Sequence, residues 1–138
     1  DAVAVVPDVD DVLVELGSGE RRPARVEDRA EDGLALVEVK KLAKDAGAFS
    51  SPGLGQGAPP STTAWLLGMG LVDGKIEPSV GGLRKAEGAR WRLDLPLDPG
   101  APILVDDRVI GVVVERHGKT ACDAVPIERV LRLVKRMP

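Results

Sequence analysis

Apolar residues in this chain mostly alternate with polar ones, the period of two that turns one face of an extended strand inward. The clearest unit is "DVLVELGSGERRPARVED". Val12, Val14 and Leu16 alternate with polar neighbours, "GSG" turns, and "RPARV" returns, which predicts a β-hairpin. "GLALVEV", from Gly33 to Val39, is more continuously apolar and predicts a central strand. Residues 40–63 differ in kind: they contain "FSSPGLGQGAPPST" and read as a long surface loop. Short valine-rich strands follow at regular intervals, "AWLLGM", "KIEPSVGGL", "RWRLDLPL", "PILV", "RVIGVVVE" and "TACDAV", with "VDG" and "DD" as turns. Then the period changes. Pro126 suits a first helical position, and Ile127, Val130, Leu131 and Val134 share one helical face. Glu128 stands early and Lys135 and Arg136 late, as the helix dipole favours. The pattern predicts an all-β barrel or sandwich closed by one C-terminal helix.

Composition narrows the functions open to such a fold. The 138 residues suffice for one domain with a real core, and 43% hydrophobic with 30% charged residues is a globular balance. Aromatics are only 2%, namely Phe49, Trp65 and Trp91, so stacking platforms for single-stranded nucleic acid are not expected. A formal charge of -3 also removes the electrostatic reason to bind a phosphate backbone. No apolar run approaches the ~20 residues that span a bilayer, so no membrane insertion by this domain is expected. Cys122 is the single cysteine, which rules out an internal disulfide and leaves the redox compartment open. The chain opens on "DAVAVV" without a Met and reads as a fragment of a longer product.

Several short motifs invite chemistry and are better read as structure. His117, in "ERHGK", sits at an expected hairpin tip and reads as a solvated surface histidine. Asp8, Asp10 and Asp11 suggest calcium, but an EF-hand loop counted from Asp8 would need Gly at Leu13 and Glu at Gly19. "GLGQG", from Gly53 to Gly57, lacks the strand, helix and Lys of a phosphate-binding loop. Cys122 reads as a buried inert thiol, and one Cys with one His makes a structural zinc site improbable. No cofactor and no metal are expected.

Taken in order, the longer pieces resemble one family, the trypsin-fold serine proteases of the HtrA (Deg) type. "VLVELGSGERRPARVEDRAEDGLALVEV" is similar to that family's strand, turn, "A-x-V" strand and "D-[LI]-A-L-L-x-[VI]" strand. "LDPGAPILVDDRVIGVVV" resembles its "G-[ND]-S-G-G-P-L" corner and the strands that follow. "DAVPIERVLRLV" resembles its closing strand and helix. The resemblance implies a trypsin-like double β-barrel, N-terminally incomplete, over residues 1–138. The first barrel would lie at about 1–45, a linker loop at 46–63, and the second barrel with the terminal helix at 64–138. It further implies that the opening strand has no earlier neighbour. The edge near residues 2–6 and 34–39 would then be covered by upstream residues, by the 40–63 loop or by a partner's strand.

Carried over position by position, the resemblance implies a degenerate catalytic site. The general base falls at Ala4, its orienting Asp at Gly33 (beside Asp32), and the nucleophile at Pro99. Acyl transfer needs an activated hydroxyl, a base within reach and a group that holds the base's tautomer. The two oxyanion donors would be the amides of Leu97 and Pro99, and proline has none. Loss of one such donor typically costs ~3 kcal/mol of transition-state stabilisation. The expectation is a catalytically inactive pseudoprotease domain, with Ala4, Gly33 and Pro99 converging at the cleft between two barrels. It would bind or scaffold a protein or peptide partner, or other parts of a longer chain. The alternatives are a serine-type hydrolase using a displaced Ser50, Ser51 or Ser61, and a ligand-sensing domain of the bacterial envelope. A periplasmic or envelope location is implied by the resemblance alone.

Overall fold

The computed structural model describes residues 2–4, 11–15, 21–29, 33–39, 53–55, 60, 65–72, 75–87 and 90–135. Four strands make a first sheet: β1 (Ala2–Ala4), β2 (Asp11–Glu15), β3 (Arg21–Arg29) and β4 (Ala35–Val39). Their order is β1-β4-β3-β2, all antiparallel, with Glu15 opposite Arg21 across the expected hairpin. The "GSG" turn itself lies outside the described residues. β4 is flanked on both sides, which explains its continuous apolar run: Leu34, Ala35, Leu36 and Val37 are all buried. Residues 35–37 are therefore interior, and the open strand expected there shifts outward to β1.

The second sheet is built from β5 (Gly53–Leu54), β6 (Leu66–Val72), β7 (Lys75–Gly81), β8 (Leu83–Glu87), β9 (Arg90–Leu93), β10 (Pro102–Val105), β11 (Arg108–His117) and β12 (Ala121–Pro126). Its main path runs β7-β6-β10-β11-β12-β9-β8, and β5 pairs in parallel with β11. β7 and β8 stand at opposite ends of that path, yet only Gly82 separates them in the chain. The sheet must therefore curl until its ends meet. A hydrogen bond of 2.9 Å from the Asp94 amide to the Gly82 carbonyl extends the β8/β9 pairing up to that joint. At Gly81 a Cβ would collide with the Asp94 carbonyl, so glycine permits the approach.

Two differences from the sequence reading follow. "KIEPSVGGL" is not one strand but two, broken at Gly82, and Gly53–Leu54 inside the expected linker loop forms a short strand. The "DD" turn behaves as expected: Asp106 and Asp107 both take positive φ, 49° and 63°, the geometry of a two-residue type I′ hairpin.

β11 is buried on both faces and divides two apolar clusters. Inside the curled sheet lie Leu66, Trp91, Leu93, Leu95, Leu97, Ile103, Ile110, Val113 and Cys122, with Trp91 resting against Gly111, where a Cβ would meet its ring. On the other side Val109, Val112 and Val114 join Leu34 and Leu36 of the first sheet and Ile127, Val130 and Leu133 of the helix α1 (Ile127–Lys135). The apolar run "VIGVVV" thus serves both cores. The helix is present, starting at Ile127 just after Pro126, which closes β12, and Arg136 lies outside the described residues; its buried stripe is Ile127, Val130 and Leu133, and Val134 is exposed. Contact with β4 and β11 rotates the face by about one residue from the stripe read off the sequence.

Candidate functional site

Two places on this scaffold concentrate polar groups, and they share strands β11 and β12. The first is the corner after β9. Leu97 is buried, Asp98 and Pro99 are exposed, and Gly100 takes φ +97°. The Ala101 amide donates to the Asp98 carbonyl at 3.2 Å. Pro at the second turn position and a positive-φ Gly at the third make this a type II turn. Its Gly100 N–H donates to the Val113 carbonyl at 2.8 Å, and Val113 N–H returns a bond to the Ala101 carbonyl at 2.9 Å. The Leu97 backbone amide hydrogen-bonds the buried Cys122 thiol. Burial outweighs that bond and pushes the thiol up to about 11, so it is an inert neutral group, as expected.

Of the three sequence-derived positions, Ala4 stands opposite Ala35 in the β1–β4 pair, two residues from Gly33. Gly33 has φ +93° and leads directly into buried Leu34. Leu34 shares a cluster with Val112 and Val114, while Gly100 and Ala101 bond the residue between them, Val113. The corner is thus bonded to Val113 of β11, while Leu34, next to Gly33, shares an apolar cluster with the valines on either side of it. Ser50, Ser51 and Ser61, with Asp8, Asp10 and Gly57, lie outside the described residues.

The second place was missed in the sequence. Arg90 and Arg92 of β9, Glu115 and His117 of β11, and Asp123 of β12 meet on the outer face of three adjacent strands. A register shift on β11 between Val113 and Glu115 brings Glu115 opposite Asp123. Asp123 is the buried charge of the group, with 9% of its side chain exposed. It accepts from Arg92 Nε at 2.5 Å, His117 Nε2 at 2.9 Å and Arg90 Nη1 at 3.3 Å. Burial alone would raise its carboxyl, but the hydrogen bonds from Arg92 and His117 outweigh burial and hold it below its ordinary value. Hydrogen bonding to Glu115, and less strongly to Asp123, raises Arg90, against the opposing effect of burial.

His117 therefore departs from the solvated reading. Its side chain is 32% exposed, and Nε2 lies near both Asp123 and, at 3.2 Å, Arg92 Nη2. One ring nitrogen cannot donate to the carboxylate and accept from the guanidinium together. The shorter contact assigns the Nε2 hydrogen to Asp123. Ligand atoms of Glu115, His117 and Asp123 fall within 4.8 Å of one another. Yet Arg90 Nη1 bonds Glu115 at 2.8 Å and reaches Asp123 as well, so a guanidinium stands where a cation would sit. The group is an internally neutralised network beside an open depression of about 270 Å³ lined by Lys85, Glu87, Arg90, Arg92 and Asp123. Its signal lay in the alternation of Arg90 and Arg92, but the partners are 25 or more residues away.

With this geometry in hand, solved structures supply the comparison. The chain is similar to a human pathogenic astrovirus serine protease, with a TM-score of 0.71 and 19% identity over 91% of this chain and 76% of that one. It is also similar to the HtrA-type protease AlgW with decapeptide, with a TM-score of 0.73 and 16% identity over 93% of this chain and 44% of that one. The fold is trypsin-like. No family model matches the sequence, and no curated protein matches it. At such identities the likeness carries the architecture alone, and chemistry has to be argued from the residues.

Proposed function

We propose that this trypsin-like domain is catalytically silent and serves as a protein- or peptide-binding module. The Leu97–Ala101 corner carries the reading. Pro99 offers neither hydroxyl nor N–H at the nucleophile position, the Leu97 amide is bonded to Cys122, and the Gly100 amide is bonded to Val113. An oxyanion hole needs donors aimed at an empty position, and these are already satisfied. The one histidine has its ring nitrogen held by Asp123 at the end of β11, four residues past the Val113 that bonds the corner. A binding use fits a fold whose neighbour AlgW is seen with a decapeptide. Strand addition along the outer edge of β1 is the mode we infer, since among the described residues β1 pairs on one side only, with β4.

Turnover tests this directly. Peptide and ester substrates should give no saturable hydrolysis, and Pro99→Ser should stay silent because a hydroxyl without its base is a weak nucleophile. Saturable turnover by the homogeneous, unmodified chain would overturn the proposal.

A further inference from the structure

The β6/β7 hairpin wears its apolar residues on the outside. Directly opposed residues of antiparallel strands share a face, and Leu67 opposes Val80 while Met69 opposes Pro78. Ile76 is in phase with Pro78 and Val80, and Trp65, one residue before β6, is in phase with Leu67. The inner face is instead Leu66, fully buried, with Gly68, Gly70 and Gly81. A Cβ on Gly68 would strike the Leu97 side chain and one on Gly70 would crowd it, so Leu97 fills the space that inward side chains would occupy. This settles which face is in.

Outward, Trp65 is 77% exposed, Ile76 66% and Val80 60%; Pro78 is exposed, and Leu67 and Met69 are half-buried. Trp65, Ile76 and Val80 alone leave roughly 400 Å² of apolar surface in water, already within the range where a patch marks an interaction site. All six positions are uncharged, and the exposed Lys75 and Glu77 of β7 alternate to the other side, so this face gives a charged partner nothing to pair with. Edge pairing is also disfavoured, because β7 carries Pro78, which has no N–H, and opens with Lys75. The occupant must therefore be a flat, apolar surface laid face to face. A second copy of this chain presents such a surface, of matching twist, at equal concentration.

We propose that two copies of this chain pair about a twofold axis through the outer faces of their β6/β7 hairpins. Two such faces would bury roughly 1,200 Å² in all, at the lower end of specific interfaces, which points to dissociation on the order of 1–100 μM. Sedimentation velocity on the full chain, from about 1 to 300 μM, should show the mass rise from one chain to two. Trp65 emission should shift to the blue over the same range, while Trp91, 1% exposed, stays constant. Ile76→Lys and Val80→Glu, both outward and on an edge strand, should each hold the protein monomeric with an unchanged circular dichroism spectrum. A one-chain mass at the highest concentration with Trp65 still emitting as a solvated indole would overturn the proposal. So would a dimer that survives both substitutions. The Trp65 readout on the unsubstituted chain decides the matter even if a variant fails to fold, and neither result bears on catalytic silence.

Discussion

Two strand pairs of the same curled sheet are finished in opposite ways. On β9 and β12, Trp91, Leu93, Cys122 and Ala124 point inward, and Arg90, Arg92 and Asp123 form the outer face. On β6 and β7, Gly68 and Gly70 lie inward against Leu97, and Leu67, Met69, Ile76 and Val80 face out, with Trp65 just ahead of β6. Both pairs alternate equally well, so alternation alone does not orient a sheet. What orients each is the volume available inside: Trp91 fills one wall of the interior, and Leu97 fills the other only because Gly68 and Gly70 leave room. Leu97 is also the residue whose amide is bonded to Cys122. The packing that inverts the β6/β7 hairpin and the bond that ties off the corner therefore meet in one residue.

The contrast is sharpest in stability. Trp91→Ala should cost about 3–5 kcal/mol, the lost transfer energy plus a cavity beside Gly111. Ile76→Thr, equally apolar in sequence but outward, should change stability by about 0.5 kcal/mol or less in dilute monomer. Urea unfolding at low protein concentration compares the two, and equal losses would break the distinction between the faces.

The charged face comes next. Asp123→Asn removes the carboxylate that Arg90, Arg92 and His117 share, and should cost roughly 1–3 kcal/mol near neutral pH. Because the folded carboxyl lies below its ordinary 3.8, its contribution is fully present above that value and disappears as pH falls through the folded one. The gap between Asp123→Asn and the unsubstituted chain should therefore close on acidification below 3.8, followed by denaturation at stepped pH. A gap independent of pH would mean the carboxylate's ionisation is not what stabilises this face.

The smallest effect concerns the β10/β11 turn. Asp107, at φ 63°, occupies a conformation that glycine adopts without strain. Asp107→Gly should raise stability by about 0.5 kcal/mol, seen as a small upward shift of the thermal midpoint.

Local chemistry made much of the fold legible. The Asp11–Glu15/Arg21–Arg29 hairpin, the "DD" turn and the terminal helix follow from periodicity and turn residues within a dozen positions of one another. Gly82 was harder, because a glycine inside an apolar-polar run marks a bend only when the ends of a sheet must meet there. Leu133 replaced Val134 on the helix's buried face because β4 packs against it, a contact set by the tertiary fold. The turn at Pro99-Gly100 was legible from those two residues, and its hydrogen bonds to Val113 were not. His117 was misread for the same reason: its partners, Asp123 and Arg92, arrive through strand pairing and a register shift that no window around residue 117 contains. Chemistry that depends on long-range pairing is visible only once the sheet is assembled.

Intact-mass measurement after exposure to a serine-directed fluorophosphonate reads a nucleophile activated anywhere in the chain, and so bears on catalytic silence as a whole. It covers Ser50, Ser51 and Ser61 as well as the Pro99 corner. A catalytically silent domain keeps its mass unchanged after prolonged exposure in the folded state. A single stoichiometric adduct mapped to one serine, and lost on unfolding before exposure, would contradict it.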